Sequence, residues 1–308
     1  MTNIAETLRH AAEQLETISE TPRLDAELLM AHALDMERGA MLLNKMRDPA
    51  PAVFGPMLLR RLAHEPVAYI TGKAEFWSLP LTVTPDVLIP RADSETLIEA
   101  ARDYFVNCAP QRILDLGTGS GALLLAALSE WPSTHGLGMD QSAKALAIAH
   151  NNADHLGLSD RCQFVCQSWS DGGWIENLTK PVHPEPVEGS HLTSEEKNSP
   201  STGSGRTEIG LFDLILCNPP YVESDAILAP QVRDYEPHQA LFAGSEGLDD
   251  YRHLLPFVPK LLHPDGAAIF EIGATQAESV KNIAQENTLR SRLYHDLADN
   301  PRALLFTH

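Results

Sequence analysis

Residues 213 to 224 read "DLILCNPPYVES", an apolar strand-like run that stops at Asn218, Pro219, Pro220 and Tyr221. Asn218 and Pro219 each precede a proline, which keeps both out of the α region, and the two rings fix φ at Pro219 and Pro220. The turn is therefore stiff, and the missing proline N–H groups stop a strand ladder from continuing through it. Such a turn aims two acceptors, the Asn218 side-chain oxygen and the Pro219 carbonyl, at one spot. That pair suits chemistry on a planar amino group conjugated to a carbonyl or a heteroaromatic ring, whose lone pair is delocalised. Holding both hydrogens between two acceptors encourages pyramidalisation and turns the lone pair toward an electrophilic methyl on sulfonium. The step needs no general base, and Tyr221 is expected to form the apolar wall that packs on the flat group and keeps water out. The competing reading of the same residues is an inert Pro-Pro loop.

A second constellation lies about a hundred residues upstream. In "ILDLGTGSGALLL" the run Gly117, Thr118, Gly119, Ser120, Gly121 joins a strand to a helix. The tight turn needs residues without a Cβ, and their absence lets a ligand approach the backbone at the C-terminal edge of an open α/β sheet. A dinucleotide fingerprint reads G-x-G-x-x-G; here the third glycine comes one residue early and Asp115 stands just before the loop. A pyrophosphate is repelled by that Asp, whereas a nucleoside carrying a cationic amino acid, such as S-adenosyl-L-methionine, tolerates it. Asp140 closes the next strand, where a carboxylate can accept from both ribose hydroxyls. Its competing reading is a helix N-terminal carboxylate beside Ser142.

The elements that must position these residues follow from periodicity. Helix "SETLIEAARDYF", strand "RILDLG", helix "ALLLAALSEW", strand "HGLGMD", helix "SAKALAIAHNNADHLG", strands "CQFVCQ" and "FDLILC" alternate as in a mostly parallel sheet with helices on both faces; "AAIFEIG" and "ALLFTH" add strand candidates. Residues 1–73 instead read as a small helical bundle. Ile4, Leu8, Ala11, Leu15 and Ile18 recur at helical spacing, Thr21 is the expected N-cap of a second helix with Pro22 at its first position, and Val53, Met57, Leu58 and Leu62 form a third apolar set. Residues 74–90, punctuated by Pro80, Pro85 and Pro90, suit a β-hairpin linking the bundle to an α/β domain over 91–308. Residues 180–208, rich in Pro, Ser, Gly and Glu, read as a disordered insert between two strands.

Composition narrows the function. A formal charge of −19 over 308 residues disfavours direct nucleic-acid binding and favours cationic ligands. No apolar run approaches the roughly 18 to 20 residues that span a bilayer, and the opening "MTNIAETLRHAAEQLE" is polar and amphipathic, so a cytosolic protein is expected. Four cysteines make no disulfide framework; Cys162 and Cys166, on one face of a strand, are expected to be buried reduced thiols. The thirteen histidines show no metal-ligand spacing, so no metal site is expected.

Several stretches together resemble the peptide chain release factor N5-glutamine methyltransferases, the PrmC/HemK family, across nearly the whole chain. They are "LDAELLMAHAL", "EPVAYITGKAEFWSLPLTVTPDVLIPRADSETLIEA", "ILDLGTGSGAL", "MDQSAKALAIAHNNA", "CNPPYV", "DYEPHQALFAGSEGLDDYRHLL" and "FEIGATQ". The resemblance implies a class I S-adenosylmethionine-dependent methyltransferase of Rossmann-like fold with a small N-terminal helical bundle. Its implied substrate is the Gln of the Gly-Gly-Gln loop in class I release factors, methylated on the side-chain amide, with the bundle docking the release factor. Independently of the resemblance, a monomer is expected. Carried onto this chain, Gly117 to Gly121 and Asp140 hold the cofactor, Trp169 lines the adenine pocket, and Asn218 to Tyr221 bind the glutamine. "IPRADSET" separates the chain from sister enzymes that modify a ribosomal protein and carry Ser-Pro after the Arg, although Ala92 replaces the usual proline. In "CQSWSDGG" the family's acid before the aromatic is replaced by Ser168, which weakens one contact to the adenine amino group unless Asp171 or the backbone substitutes.

Two rivals use the same devices. An amino-group methyltransferase of DNA bases meets the same conjugated nitrogen but needs phosphate contacts and a base-flipping surface, which the acidic balance opposes. A noncatalytic sensor of S-adenosylmethionine has no use for an intact Asn218 and Tyr221.

Overall fold

The computed structural model describes residues 2–178 and 211–308, so the insert expected at 180–208 lies outside the described residues. Helix α1 (Ile4–Leu15) buries Ile4, Leu8, Ala11 and Leu15, its Asn3 cap accepting from the Glu6 N–H at 2.9 Å. That stripe packs on Ala26, Leu29 and Met30 of α2 (Pro22–Ala33), Met41 of α3 (Arg38–Asn44), Phe54 of α4 (Phe54–Leu62) and Ile70 of α5 (Val67–Thr71). Two details differ from expectation. Thr21 occupies the N-cap position, but its hydroxyl donates to Asp25 instead of capping the helix. The third apolar set is anchored by Phe54, while Val53 is 52 % exposed, because the helix begins one residue later and turns Val53 outward.

Strands β1 (Lys73–Phe76) and β2 (Leu79–Thr82) form an antiparallel hairpin. Its two-residue turn holds Trp77 and Ser78 at φ +52° and +59°, the pairing a hairpin's twist favours but one that costs non-glycine residues energy. Hydrogen bonds from the Trp77 N–H to Glu95 (2.7 Å) and from its indole to Glu130 (2.7 Å) hold it there. The hairpin is tied further in by Asn152 of α8 (Ala143–His155), described below.

Beyond the hairpin come α6 (Glu95–Tyr104), β3 (Arg112–Leu116), α7 (Ala122–Glu130), β4 (His135–Asp140), then α8, β5 (Cys162–Cys166), α9 (Trp174–Leu178) and β6 (Phe212–Cys217). They are followed by α10 (Pro230–Arg233), α11 (Asp249–Leu254), α12 (Val258–Leu261), β7 (Leu262–Glu271), α13 (Ala277–Glu286), β8 (Arg290–His295) and β9 (Pro301–Thr307). The sheet runs β5-β4-β3-β6-β7-β9-β8, parallel from β5 to β7 and antiparallel at β9 and β8. Strand β8, "RSRLYH", is the one the apolar pattern misses: it is an edge strand with mostly exposed or half-exposed side chains. Alternate residues of the central strands feed two cores. Ile113, Leu214 and Ile269 pack on α6 and α7, whereas Leu114, Ile215 and Ala268 pack on the side of α11 and α13.

The chain leaves β3 toward β4 and β5, then returns to pair β6 on the other side of β3, which makes the carboxyl ends of these strands a topological switch point. Register decides what meets there. Val165, Met139, Leu116, Cys217 and Phe270 lie in one row across five strands. One residue further on therefore come Cys166, Asp140, Gly117, Asn218 and Glu271. Residues far apart in sequence are set side by side by the sheet alone.

Candidate active site

A cleft opens above this row. It is lined by Gly117, Thr118, Gly119 and Ser120 from the glycine loop, Asp140, Gln141 and Ser142 from the end of β4, Ser168 and Trp169 after β5, and Asn218 and Pro220 after β6. Val87, Leu88 and Pro90 close it from the segment after the hairpin, and Pro237, Gln239 and Ala240 from "DYEPHQALF". Of the residues singled out from sequence, Gly121, Pro219 and Tyr221 are not on its wall.

The glycine loop is built from backbone. Gly117, Gly119 and Gly121 all have positive φ (+75°, +55° and +83°), which only residues without a Cβ adopt freely. A Cβ on Gly117 would stand 3.2 Å from the Trp169 ring, so the glycine also makes room for the indole. The N–H groups of Gly117 and Thr118 both donate to the Met139 carbonyl, at 2.8 and 2.9 Å. Gly121 leads into α7 with its N–H on the Thr118 carbonyl at 2.8 Å.

The two readings of Asp140 prove compatible. Its Oδ2 accepts from the Gly119 N–H at 2.9 Å and its Oδ1 from the Ser142 N–H at 2.8 Å, so it does brace the start of α8. The carboxylate also lines the cleft, and each oxygen keeps a further lone pair for a ligand hydroxyl. Burial raises its pKa against the opposing pull of these backbone N–H groups. Asp115 differs. It is 1 % exposed beneath the loop, accepts from the Thr118 hydroxyl at 2.6 Å, and leaves Oδ1 without a partner. Burial lifts its pKa to about 7. It serves the loop itself as a hydrogen-bond acceptor and is not among the residues that line the cleft.

Trp169 is held at the cleft by Asp250, which accepts from its indole N–H at 2.8 Å, and by His253, whose ring nitrogen lies 2.6 Å from its carbonyl. Ser168 lines the cleft, its Oγ accepting from the Ser170 N–H, while Asp171 is exposed, away from the wall, accepting from Gln167 at 2.8 Å. Cys162 is buried, its thiol pushed up to about 11, but Cys166 is exposed beside Gln141. The expected buried pair is thus half right: the two share a face, but β5 is the sheet edge and its last residue protrudes.

On the far side of the cleft, Pro219 and Pro220 are buried and Tyr221 is half-buried, outside the residues that line the opening. The Tyr221 hydroxyl donates to Glu271 Oε1 at 3.1 Å, and Tyr221 is not among the residues that line the cleft, where an apolar wall was expected of it. Glu271 Oε2 accepts from the Ser94 hydroxyl at 2.5 Å, and Ser94 Oγ lies 3.4 Å from Asn218 Nδ2. The turn is pinned from below by Gln276, whose amide donates to the Tyr221 and Gly247 carbonyls at 3.0 and 3.2 Å. A short bridge from Val222 to Phe242 ties it to "DYEPHQALF". In that segment Glu236, 4 % exposed, pairs with Arg91 at 2.5 Å. Ser94, Glu271 and Gln276 were not assigned from sequence. The signal was present in "AAIFEIG", where a single acid interrupts an apolar strand and so needs buried partners.

Two buried links fasten this site to the rest of the chain. Asn152, 1 % exposed, accepts from the Thr82 N–H at 2.7 Å and donates to the carbonyls of Thr82 (3.0 Å) and Ser120 (2.9 Å), joining hairpin to glycine loop. Arg61 of α4, 3 % exposed, donates to Asp25 at 2.7 Å and to Gln231 of α10 at 3.3 Å, joining bundle to α/β domain. Among the described residues no group of His, Cys, Asp and Glu is placed to hold a metal ion, and no helix is long and apolar enough to cross a membrane.

A mostly parallel seven-stranded sheet with its cleft at the β3 and β6 carboxyl ends is the class I S-adenosylmethionine-dependent methyltransferase fold. The catalytic domain of hMettl16 superposes with a TM-score of 0.50 at 13 % identity, covering 75 % of this chain and 76 % of that one. A methyltransferase-domain family model matches residues 109–174, and a PrmC N-terminal domain model matches residues 6–72. Release factor glutamine methyltransferases from Rhodospirillum rubrum and Bradyrhizobium diazoefficiens are 37 % and 35 % identical. The alignments cover 93 % and 92 % of this chain and 79 % and 88 % of those proteins. The relative from Aliivibrio fischeri is 34 % identical over 93 % of this chain and 90 % of its own length. The chain belongs to the release factor glutamine methyltransferase family.

Proposed function

We propose that this protein methylates the side-chain amide nitrogen of the Gln in the Gly-Gly-Gln motif of class I peptide chain release factors, using S-adenosyl-L-methionine. The observation that carries the reading is the sheet register, which sets Gly117 and Asn218 one step past the paired Leu116 and Cys217, so that both line one cleft. The cofactor's outline fits these residues: Asp140 offers acceptors for a ribose diol, Trp169 a flat face for adenine, and the Gly117 backbone a surface free of Cβ atoms. Bound S-adenosyl-L-methionine supplies an electrophilic methyl group on sulfonium.

The protein's part is binding and orientation. Asn218 Oδ1, on the cleft wall, accepts a hydrogen of the glutamine amide and holds its nitrogen toward the cofactor side, while the Pro219 carbonyl expected as second acceptor belongs to a buried residue off that wall. Pro220, Pro237 and Val87 exclude water around it. The bundle docks the release factor, and Leu43 and Leu59, 85 % and 68 % exposed on α3 and α4, offer apolar contact there. The charge of −19 favours a partner with basic surface and opposes the rival reading of a DNA-base methyltransferase.

The test is incubation with labelled S-adenosyl-L-methionine and either a class I release factor or DNA, followed by peptide mass spectrometry. Methylation at the Gly-Gly-Gln glutamine is expected. Label in DNA, or on another residue of the release factor, overturns the assignment.

A further inference from the structure

Asn218 is useful to an incoming amide only if its oxygen, and not its NH2, faces the cleft. The two ends of a carboxamide are nearly equal in size, so packing alone does not choose between them. A chain of buried polar groups that reaches the cleft at Ser94, beside Asn218, does. Glu271 is 1 % exposed and lies at the carboxyl end of β7, one row beyond Phe270, which pairs with Cys217. Its two oxygens take hydrogens from Tyr221 (3.1 Å) and Ser94 (2.5 Å). Ser94, 4 % exposed at the start of α6, has a single hydroxyl hydrogen, and the carboxylate takes it. Toward Asn218, 3.4 Å away, the Ser94 oxygen can then only accept.

We propose that Ser94 and Glu271 are positioning residues that fix the polarity of the Asn218 amide, holding its Nδ2 inward so that Oδ1 faces the substrate amide. The inference rests on the proposed function for its consequence but not for its geometry. A charged Glu271 makes the chain Tyr221, Glu271, Ser94, Asn218 run in one direction; a neutral one supplies a proton, frees Ser94 to donate to Asn218, and lets the amide turn over. Burial raises the Glu271 pKa, and Asp93 adds to that; the hydrogen bonds from Ser94 and Tyr221 and the Arg302 cation of β9 pull the other way and favour the charged form, with Tyr251 and Cys217 the remaining ionisable neighbours. The Tyr251 hydroxyl is occupied with the Glu271 backbone carbonyl at 2.7 Å and leaves the carboxylate to the other two.

The test compares Ser94→Ala, Glu271→Gln and the double variant with the parent. Each single change is expected to lower kcat for release-factor methylation roughly tenfold, the loss expected of one hydrogen bond to a charged network. Cofactor affinity, measured by calorimetry, is expected to stay within about threefold, and the double variant to be little worse than either single one, because both break the same chain. Equal losses in cofactor affinity and kcat, or simple addition in the double variant, overturn the proposal. A second readout needs no substrate. The Asn218 side-chain NH2 resonances, assigned by their loss in Asn218→Asp, are expected to shift in Ser94→Ala; an unmoved pair overturns the proposal even if the parent methylates no release factor. Failure of the parent on release factor, with the NH2 pair shifted, removes the substrate reading alone.

Discussion

The two walls of the cleft are held by different means. On the β3–β4 side, position is set by backbone: three glycines at positive φ, N–H groups on the Met139 carbonyl, and Asp140 accepting from two further N–H groups. On the β6–β7 side, two rings stiffen the chain and side chains do the rest, through Asn218, Ser94, Glu271, Tyr221 and Gln276. A backbone cradle suits a ligand bound alike before and during reaction, since its contacts do not change as charge moves. A directional side-chain chain suits a group that must be presented with one polarity at the moment of transfer. The two walls should therefore fail differently, one in cofactor binding and the other in turnover.

The largest effect expected is on the side-chain wall. Asn218→Ala removes the side-chain acceptor proposed for the transferring amide and is expected to lower kcat by roughly 10² to 10³, about 3 to 4 kcal/mol by analogy with the loss of one oxyanion donor. Cofactor affinity should change far less. Single-turnover methylation by a folded variant checks this, and a near-parent rate would erase the distinction between the walls.

A smaller loss of the opposite kind is expected from Asp140→Ala. Removing a charged acceptor shared by cofactor and backbone should raise the apparent KM for S-adenosyl-L-methionine roughly 10- to 100-fold while kcat falls less, with some loss of thermal stability from the freed Gly119 and Ser142 N–H groups. Steady-state kinetics with cofactor titration measures the split. Unchanged cofactor affinity with lowered stability would leave Asp140 as a brace alone.

The smallest effect is in stability and not in turnover. Asp115 has an ordinary pKa of 3.8 and is lifted by burial to about 7, so the folded protein holds a proton there that the unfolded chain releases. Its contribution to stability is present at low pH and is lost as pH rises through about 7, by on the order of 2 kcal/mol between pH 5 and 7. Denaturant unfolding at both pH values should show that slope in the parent and its loss in Asp115→Asn. A parent slope retained by the variant would assign it to other groups.

Some of this was visible in the bare chain because it depends on short-range rules. Proline fixes φ and removes donors, glycine opens positive φ, and alternation of apolar runs with amphipathic ones calls for a parallel sheet, so the glycine loop, the Asn-Pro-Pro-Tyr turn and the mostly parallel α/β class were legible. Edge strand β8 was not, since "RSRLYH", with only exposed and half-exposed side chains, carries no apolar run. Val53 and Cys166 were misjudged for one reason: a single residue's direction at the end of an element depends on what lies opposite it.

Residue types and spacing were thus enough to say which backbone could do chemistry, because those properties travel with the residue. Which residues stand together was decided by sheet register, which brings Asp140, Gly117, Asn218 and Glu271 into one row across strands as far apart in sequence as β3 and β7. Tertiary structure alone set the Tyr221 hydroxyl on Glu271, placed Asp115 against the Thr118 hydroxyl, and put Ser94 between Asn218 and Glu271. The reason is physical: a buried polar atom must find a partner, and in a folded chain that partner is chosen by packing across the sheet and not by distance along the sequence.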